Sequence, residues 1–181
     1  MESSKNFFFQ VVTVCTLVYN ITTTIRYWIC RYNIIHKGEF AMVNLLTGPK
    51  GSGKTQQMIE QANKQAKECK GNVVFIKKTH RDTASVAFDI RTICMDDFPS
   101  ITNTDEYIGF LYGMYSSNHD IECIFIDGIL KHADISIENI PGFIDRLKKL
   151  SEECGINFYV SISAEKAELK DINLDGCILL N

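Results

Sequence analysis

The sequence predicts an α/β domain built on a mainly parallel sheet of about five strands with helices on both faces. Three observations predict it. Short apolar runs rich in β-branched residues alternate with longer stretches of helical period, which is the order that builds parallel sheets. The first run, Met42-Val43-Asn44-Leu45-Leu46, stops at a glycine-rich loop that opens a helix. A later run, Ile121-Glu122-Cys123-Ile124-Phe125-Ile126, stops at Asp127-Gly128. Residues at the carboxyl ends of such strands line the edge where open α/β sheets bind ligands.

The loop is Gly48-Pro49-Lys50-Gly51-Ser52-Gly53-Lys54-Thr55, and it fits the phosphate-binding pattern G-x-x-x-x-G-K-[ST] at Gly48, Gly53, Lys54 and Thr55. Its glycines let successive N–H groups turn inward around an anion, and the following helix directs its positive end to the same place. The expected phosphate contacts are Gly48, Pro49, Lys50, Gly51, Ser52, Gly53, Lys54, Thr55 and Gln56, with Lys54 reaching the β- and γ-phosphates and Thr55 offering its hydroxyl to Mg²⁺. From Lys54 to Cys69, Met58, Ile59, Ala62, Ala66 and Cys69 recur at helical spacing.

Asn72 to Lys77 reads as the second strand, ending in the polar cluster Lys77-Lys78-Thr79-His80-Arg81-Asp82. That cluster is either a solvated loop or a substrate contact through Lys78, His80 or Arg81. Ala84 to Phe88 reads as a short helical stretch and Ile90 to Cys94 as a small strand. Thr104-Asp105-Glu106-Tyr107 has the composition of a helix start, with Thr104 as cap and acids in the first turn. Glu106 carries a second expectation, as a base that polarises a water or a hydroxyl.

The apolar strand ending in Asp127 is what a phosphate-loop protein needs next, since an aspartate at that position holds Mg²⁺ opposite the loop threonine. Thr55 and Asp127 are therefore the candidate metal ligands, and Lys54, Asp127 and Glu106 the candidate catalytic residues. Pro141 to Cys154 reads as a helix with Ile140, Phe143, Ile144, Leu147 and Leu150 on one face and Gly155 after its end. Asn157 to Ser163 reads as a strand whose Ser161 and Ser163 fit either simple alternation or a polar group near the γ-phosphate. A short helix over Ala164–Leu169 and a strand over 177–180 complete the chain.

Motifs and order together resemble the P-loop NTPase superfamily over roughly Met42 to Leu180. That resemblance implies a three-layer P-loop NTPase fold binding ATP and Mg²⁺. More closely, the chain is similar to small ATP-binding proteins of Gram-positive anaerobes, a group sometimes labelled twitching-motility proteins of the PilT kind. The similarity rests on Met42 to Cys69, Asn72-Val73-Val74, Thr104 to Tyr107 and Ile126-Asp127-Gly128-Ile129-Leu130-Lys131. A more distant likeness is to thymidine kinase, in Gly48-Pro49 and in a second strand running into a basic cluster. Gly128 stands where that family has a catalytic glutamate, and its paired zinc-ribbon cysteines are missing. Without a glutamate beside Asp127, slow turnover is expected unless Glu106 substitutes. No Asn-Lys-x-Asp guanine-recognition element is present, which disfavours a GTPase switch. The expected function is a weak ATPase or a nucleotide-dependent binding module acting through a protein partner; the alternative is a small-molecule kinase of nucleoside type, with its acceptor near Lys77–Arg81.

Composition fits this reading. At 181 residues, 45% hydrophobic and 23% charged, the chain suits one globular domain with a sizeable core. A net charge of −3 argues against a broad nucleic-acid-binding surface. Seven scattered cysteines with no C-x-x-C pair read as reduced thiols, which points to the cytoplasm and away from structural zinc.

The domain is expected over residues 42–181, with residues 1–41 as an N-terminal extension. Residues 7–25 carry no charge and have the length of a membrane helix, but seven of them are polar (Gln10, Thr13, Thr16, Asn20, Thr22, Thr23, Thr24). A membrane contact is expected only if this segment is translated and inserted. The leading expectation is a start at Met42, with residues 1–41 an upstream region read through, because Lys37-Gly38-Glu39 can be encoded by a bacterial ribosome-binding sequence at a workable distance; a membrane anchor is the second reading. A soluble extension is the third reading.

Overall fold

The computed structural model describes residues 42–81, 83–164, 168 and 177–180, with the last strand described by its backbone. The readings of residues 1–41 and most of the Ala164–Leu169 helix lie outside the described residues. Among the described residues nine regular elements follow one another: β1 (Val43–Thr47), α1 (Lys54–Glu68), β2 (Asn72–Lys77), β3 (Arg91–Cys94), α2 (Thr104–Ser117), β4 (Ile121–Ile126), α3 (Ile140–Cys154), β5 (Asn157–Ile162) and β6 (Cys177–Leu180). Short 3₁₀ turns punctuate the connections; Thr83–Ser85 is one, so the helical stretch expected over Ala84–Phe88 is a single tight turn.

The six strands form one sheet in the order β3-β2-β4-β5-β1-β6, and every pairing is parallel. This agrees with the expected mainly parallel sheet of about five strands; the small strand read over Ile90–Cys94 is β3, which pairs along its whole length with β2 from Val74–Arg91 to Lys77–Cys94.

Strand alternation divides the apolar residues between two cores, as a sheet covered on both faces requires. Val43, Leu45, Val74, Ile76, Ile124, Ile126, Phe158 and Val160 point to one face, where they meet Tyr107 and Leu111 of α2 and Phe143, Ile144 and Leu147 of α3. Leu46, Val73, Phe75, Cys123, Phe125 and Tyr159 point to the other and meet Met58, Ile59 and Ala62 of α1. On that face the aromatic rings of Phe125 and Tyr159 stack with centroids 4.3 Å apart. The helix after β1 therefore lies on the opposite face from the helix between β4 and β5. Where helices part to opposite faces a crevice opens at the carboxyl ends of the strands.

Helix boundaries follow local chemistry. The cap of α2 is Asn103 rather than Thr104: its side-chain oxygen accepts the Glu106 N–H at 3.0 Å. At the far end of α3, Gly155 adopts φ 70° and its N–H closes onto Ser151 O at 2.8 Å. Among the described residues no helix is long and apolar enough to cross a membrane. No disulfide joins Cys69, Cys94, Cys123 and Cys154 to one another, the four cysteines with described side chains.

One buried polar pair links α2 to the segment after β4. His132 and Tyr107 are both fully buried, with the phenol oxygen 3.0 Å from Nδ1. Burial raises the phenol pKa and lowers that of the imidazole to about 4. The charges of Lys78 and Lys131 lower the imidazole further, while the Asp127 main-chain carbonyl and Asp96 act in the opposite direction. Nε2 is buried without a hydrogen-bond partner among the described residues.

A base whose folded pKa lies below its unfolded value of 6.5 contributes stability that is complete above about pH 6.5 and is lost as pH falls towards about 4. Between pH 7 and pH 5 this single group is expected to remove about 2 kcal/mol of unfolding free energy. Denaturant titrations at the two pH values, with and without His132→Gln, would measure it, and an imidazole NMR titration with a midpoint near 6.5 would contradict it.

Candidate functional site

The loop after β1 and the start of α1 make a positive pole. Gly51 and Gly53 adopt φ 85° and 83°, left-handed values that side-chain-bearing residues rarely take. Gly53 is the N-cap of α1; no side chain caps the helix there and no acid lies in its first turn. The first N–H groups of the helix and its dipole thus face the mouth of the loop. Lys54 is buried. Its ammonium donates to Gly48 O at 2.8 Å and Pro49 O at 2.7 Å, with Ser52 Oγ at 3.3 Å, so the charge is held at the centre of the loop. Desolvation lowers the Lys54 pKa; Asp127 opposes this and Lys131 adds to it.

Across from the loop, Asp127 follows β4. Its N–H donates to Ile76 O at 2.8 Å, continuing the ladder to β2 for one residue beyond β4. Its two carboxylate oxygens each accept one hydroxyl: Thr55 Oγ1 donates to Oδ2 at 2.9 Å and Ser161 Oγ donates to Oδ1 at 2.8 Å. Ser161 in turn accepts the Gly128 N–H at 2.7 Å. Three segments far apart in sequence therefore converge on one carboxylate.

These groups line a cleft of about 370 Å³, within the usual range for ligand sites of about 300–1,000 Å³. Lys50, Lys54, Thr55 and Gln56 enter it from the loop and α1; Asp127, Gly128 and Lys131 from the end of β4; Ser161 and Ser163 from the end of β5. Among the described residues three lysines face one carboxylate in a chain whose net charge is −3, so the cleft is locally suited to an anion. A hydroxyl and a carboxylate held side by side are hard oxygen donors, the chemistry Mg²⁺ prefers, so Thr55 and Asp127 fit the expected metal.

The other expected contacts lie elsewhere. The Glu106 carboxylate accepts the Thr102 N–H at 2.6 Å and the Thr102 hydroxyl at 3.0 Å. These bonds lower its pKa and make it a helix-start residue outside the cleft lining. Lys78 pairs with Asp96 at 3.2 Å and His80 with Asp97 at 3.0 Å, while the Lys77 ammonium donates to Arg81 O. The basic cluster after β2 is thus tied to the segment after β3, and none of its described residues lines the cleft. His80, Cys94 and Asp97 bring ligand atoms within 4.8 Å of one another at this edge, where the thiol already donates to Lys78 O at 3.1 Å and the imidazole pairs with Asp97.

Two cleft residues have roles that were not legible from the sequence: Ser161, whose position fits strand alternation equally well, and Lys131, a lysine after a turn. Comparison of the chain with protein-family models and with curated proteins finds no match.

Ser161→Ala would remove the acceptor of the buried Gly128 N–H and one donor to Asp127. Urea unfolding is expected to register a loss of about 1–3 kcal/mol; a loss below about 0.5 kcal/mol, typical of a surface change, would mean that this serine does not hold the aspartate.

Proposed function

We propose that the chain binds a nucleoside triphosphate, ATP, together with Mg²⁺ in this cleft, and works as a slow ATPase or a nucleotide-dependent binding module acting through a protein partner. Within this reading the domain is a P-loop NTPase fold. The observation that carries it is the 2.9 Å contact between Thr55 and Asp127. The hydroxyl at the start of the helix and the acid at the end of a non-adjacent strand meet beside Lys54, the division of labour that phosphoryl chemistry uses for metal and phosphate.

In this account the N–H groups of the loop and of the first turn of α1 bind phosphate oxygens, and Lys54 exchanges its carbonyl partners for them. Thr55 and Asp127 would hold Mg²⁺, which when bound neutralises charge on the phosphates. Ser161 fixes the aspartate so that its carboxylate does not swing away from the threonine.

Among the described residues Asp127 is the only carboxylate in the cleft lining, and Gly128 beside it offers no side chain to orient a water. Glu106 is held by Thr102 outside that lining. A missing general base forgoes a factor of about 10²–10⁴, which favours slow turnover and a role based on the bound state. The kinase alternative loses support because Lys78 and His80 are paired with Asp96 and Asp97 rather than turned to the cleft.

Lys54→Ala tests this reading. Calorimetric affinity for ATP in Mg²⁺ is expected to fall by about tenfold to a hundredfold or more, as for loss of charged hydrogen bonds, with the circular dichroism spectrum retained. Unchanged affinity in a folded variant would contradict the assignment.

A further inference from the structure

Lys131 ends the 3₁₀ turn Ile129–Lys131 that follows Gly128. The turn is closed by the Lys131 N–H donating to Gly128 O at 2.8 Å, and Gly128 takes φ 72° to begin it. This geometry sends the lysine side chain back over the glycine. A Cβ built on Gly128 would lie 3.4 Å from both Cδ and Nζ of Lys131. The ammonium is therefore held beside the residue that follows Asp127, on the wall of the same cleft that contains Lys54.

What sets this lysine apart from an ordinary surface cation is its place on the cleft wall beside Gly128. Its charge is also felt at Lys54, whose pKa it lowers. The two ammonium groups thus approach one space from opposite sides, Lys54 from the loop and Lys131 from the end of β4. A terminal phosphate brings about two negative charges and relieves the repulsion between two cations that flank it.

We propose that Lys131 is the cation by which this cleft distinguishes a nucleoside triphosphate from a diphosphate, its ammonium contacting the terminal phosphate from the side of β4. The proposal rests on the triphosphate reading of the cleft and assigns it a selectivity. Loop N–H groups and Lys54 serve both nucleotides, whereas Lys131 serves the one with the extra phosphate. Gly128 belongs to the same device, since a side chain there would strain its left-handed backbone. A cation at the terminal phosphate, with no base beside it among the described residues, holds the triphosphate, which suits a protein that responds to the nucleotide's state.

The test is calorimetric binding of a non-hydrolysable ATP analogue with an imido β–γ bridge, and of ADP, each with Mg²⁺. The proteins are wild type, Lys131→Met, Lys131→Arg and the remote exposed control Lys64→Met. Lys131→Met is expected to weaken the triphosphate analogue by about tenfold or more and ADP by much less, so that the preference collapses. Lys131→Arg should retain the preference, and Lys64→Met should match wild type. Lys131 is exposed, and thermal melts of the variants check that the fold persists. An unchanged preference in Lys131→Met, or an equal fall for both nucleotides, would overturn the role of Lys131 while leaving the nucleotide reading in place. Failure of the wild type to bind either nucleotide would overturn that reading, and this proposal with it.

Discussion

Asp127 receives one hydroxyl on each carboxylate oxygen, from Thr55 at 2.9 Å and from Ser161 at 2.8 Å, and much of the site depends on that arrangement. The parallel sheet makes it available. Strand β5 lies between β1 and β4, with Ile126 opposite Val160 and Leu46 opposite Ser161. One residue past the paired end of β4, the chain is therefore level with Ser161. The main chain is pinned on both sides there, the Asp127 N–H by Ile76 O and the Gly128 N–H by Ser161 Oγ. An acid held in this way keeps its geometry without reorganising when a ligand arrives, which is the condition for electrostatic preorganisation.

The two cores supply the rigidity behind the site. Because alternate residues of β1, β2, β4 and β5 feed opposite faces, neither α1 nor the α2–α3 layer can shift without disturbing a strand that ends in the cleft. The fully buried Tyr107–His132 pair ties the start of α2 to the segment that carries Lys131. Arg146 of α3 bonds Asp105 in the first turn of α2, joining the two helices of that layer at the surface.

How much was legible in the sequence follows from how local the chemistry is. The loop Gly48–Thr55 and Asp127 could be read directly, since spacing and strand context alone define them. The amphipathic faces of α1 and α3 were likewise legible: Met58, Ile59 and Ala62 are buried as their period requires, and so are Phe143, Ile144 and Leu147. Glu106 carried two readings because an acid three residues after a cap looks the same in sequence whether it binds the preceding main chain or a substrate; only its bonds to Thr102 separate them. The acids that pair with the basic cluster lie 17 or more residues further along, as in His80 with Asp97, so the sequence could not reveal that the loop is tied down. Ser161 and Lys131 gained their meaning from strand order and from the left-handed turn at Gly128, neither of which a linear pattern encodes.

The central claim is that Thr55 and Asp127 form the metal side of a nucleotide site. The most direct measurement is the affinity for ATP with and without Mg²⁺ in the wild type and in Asp127→Asn, which keeps the shape of the side chain and removes its charge. The account predicts that Mg²⁺ strengthens ATP binding to the wild type and that most of this gain disappears in the variant. Equal dependence on Mg²⁺ in both proteins, or no ATP binding by the wild type, would contradict it.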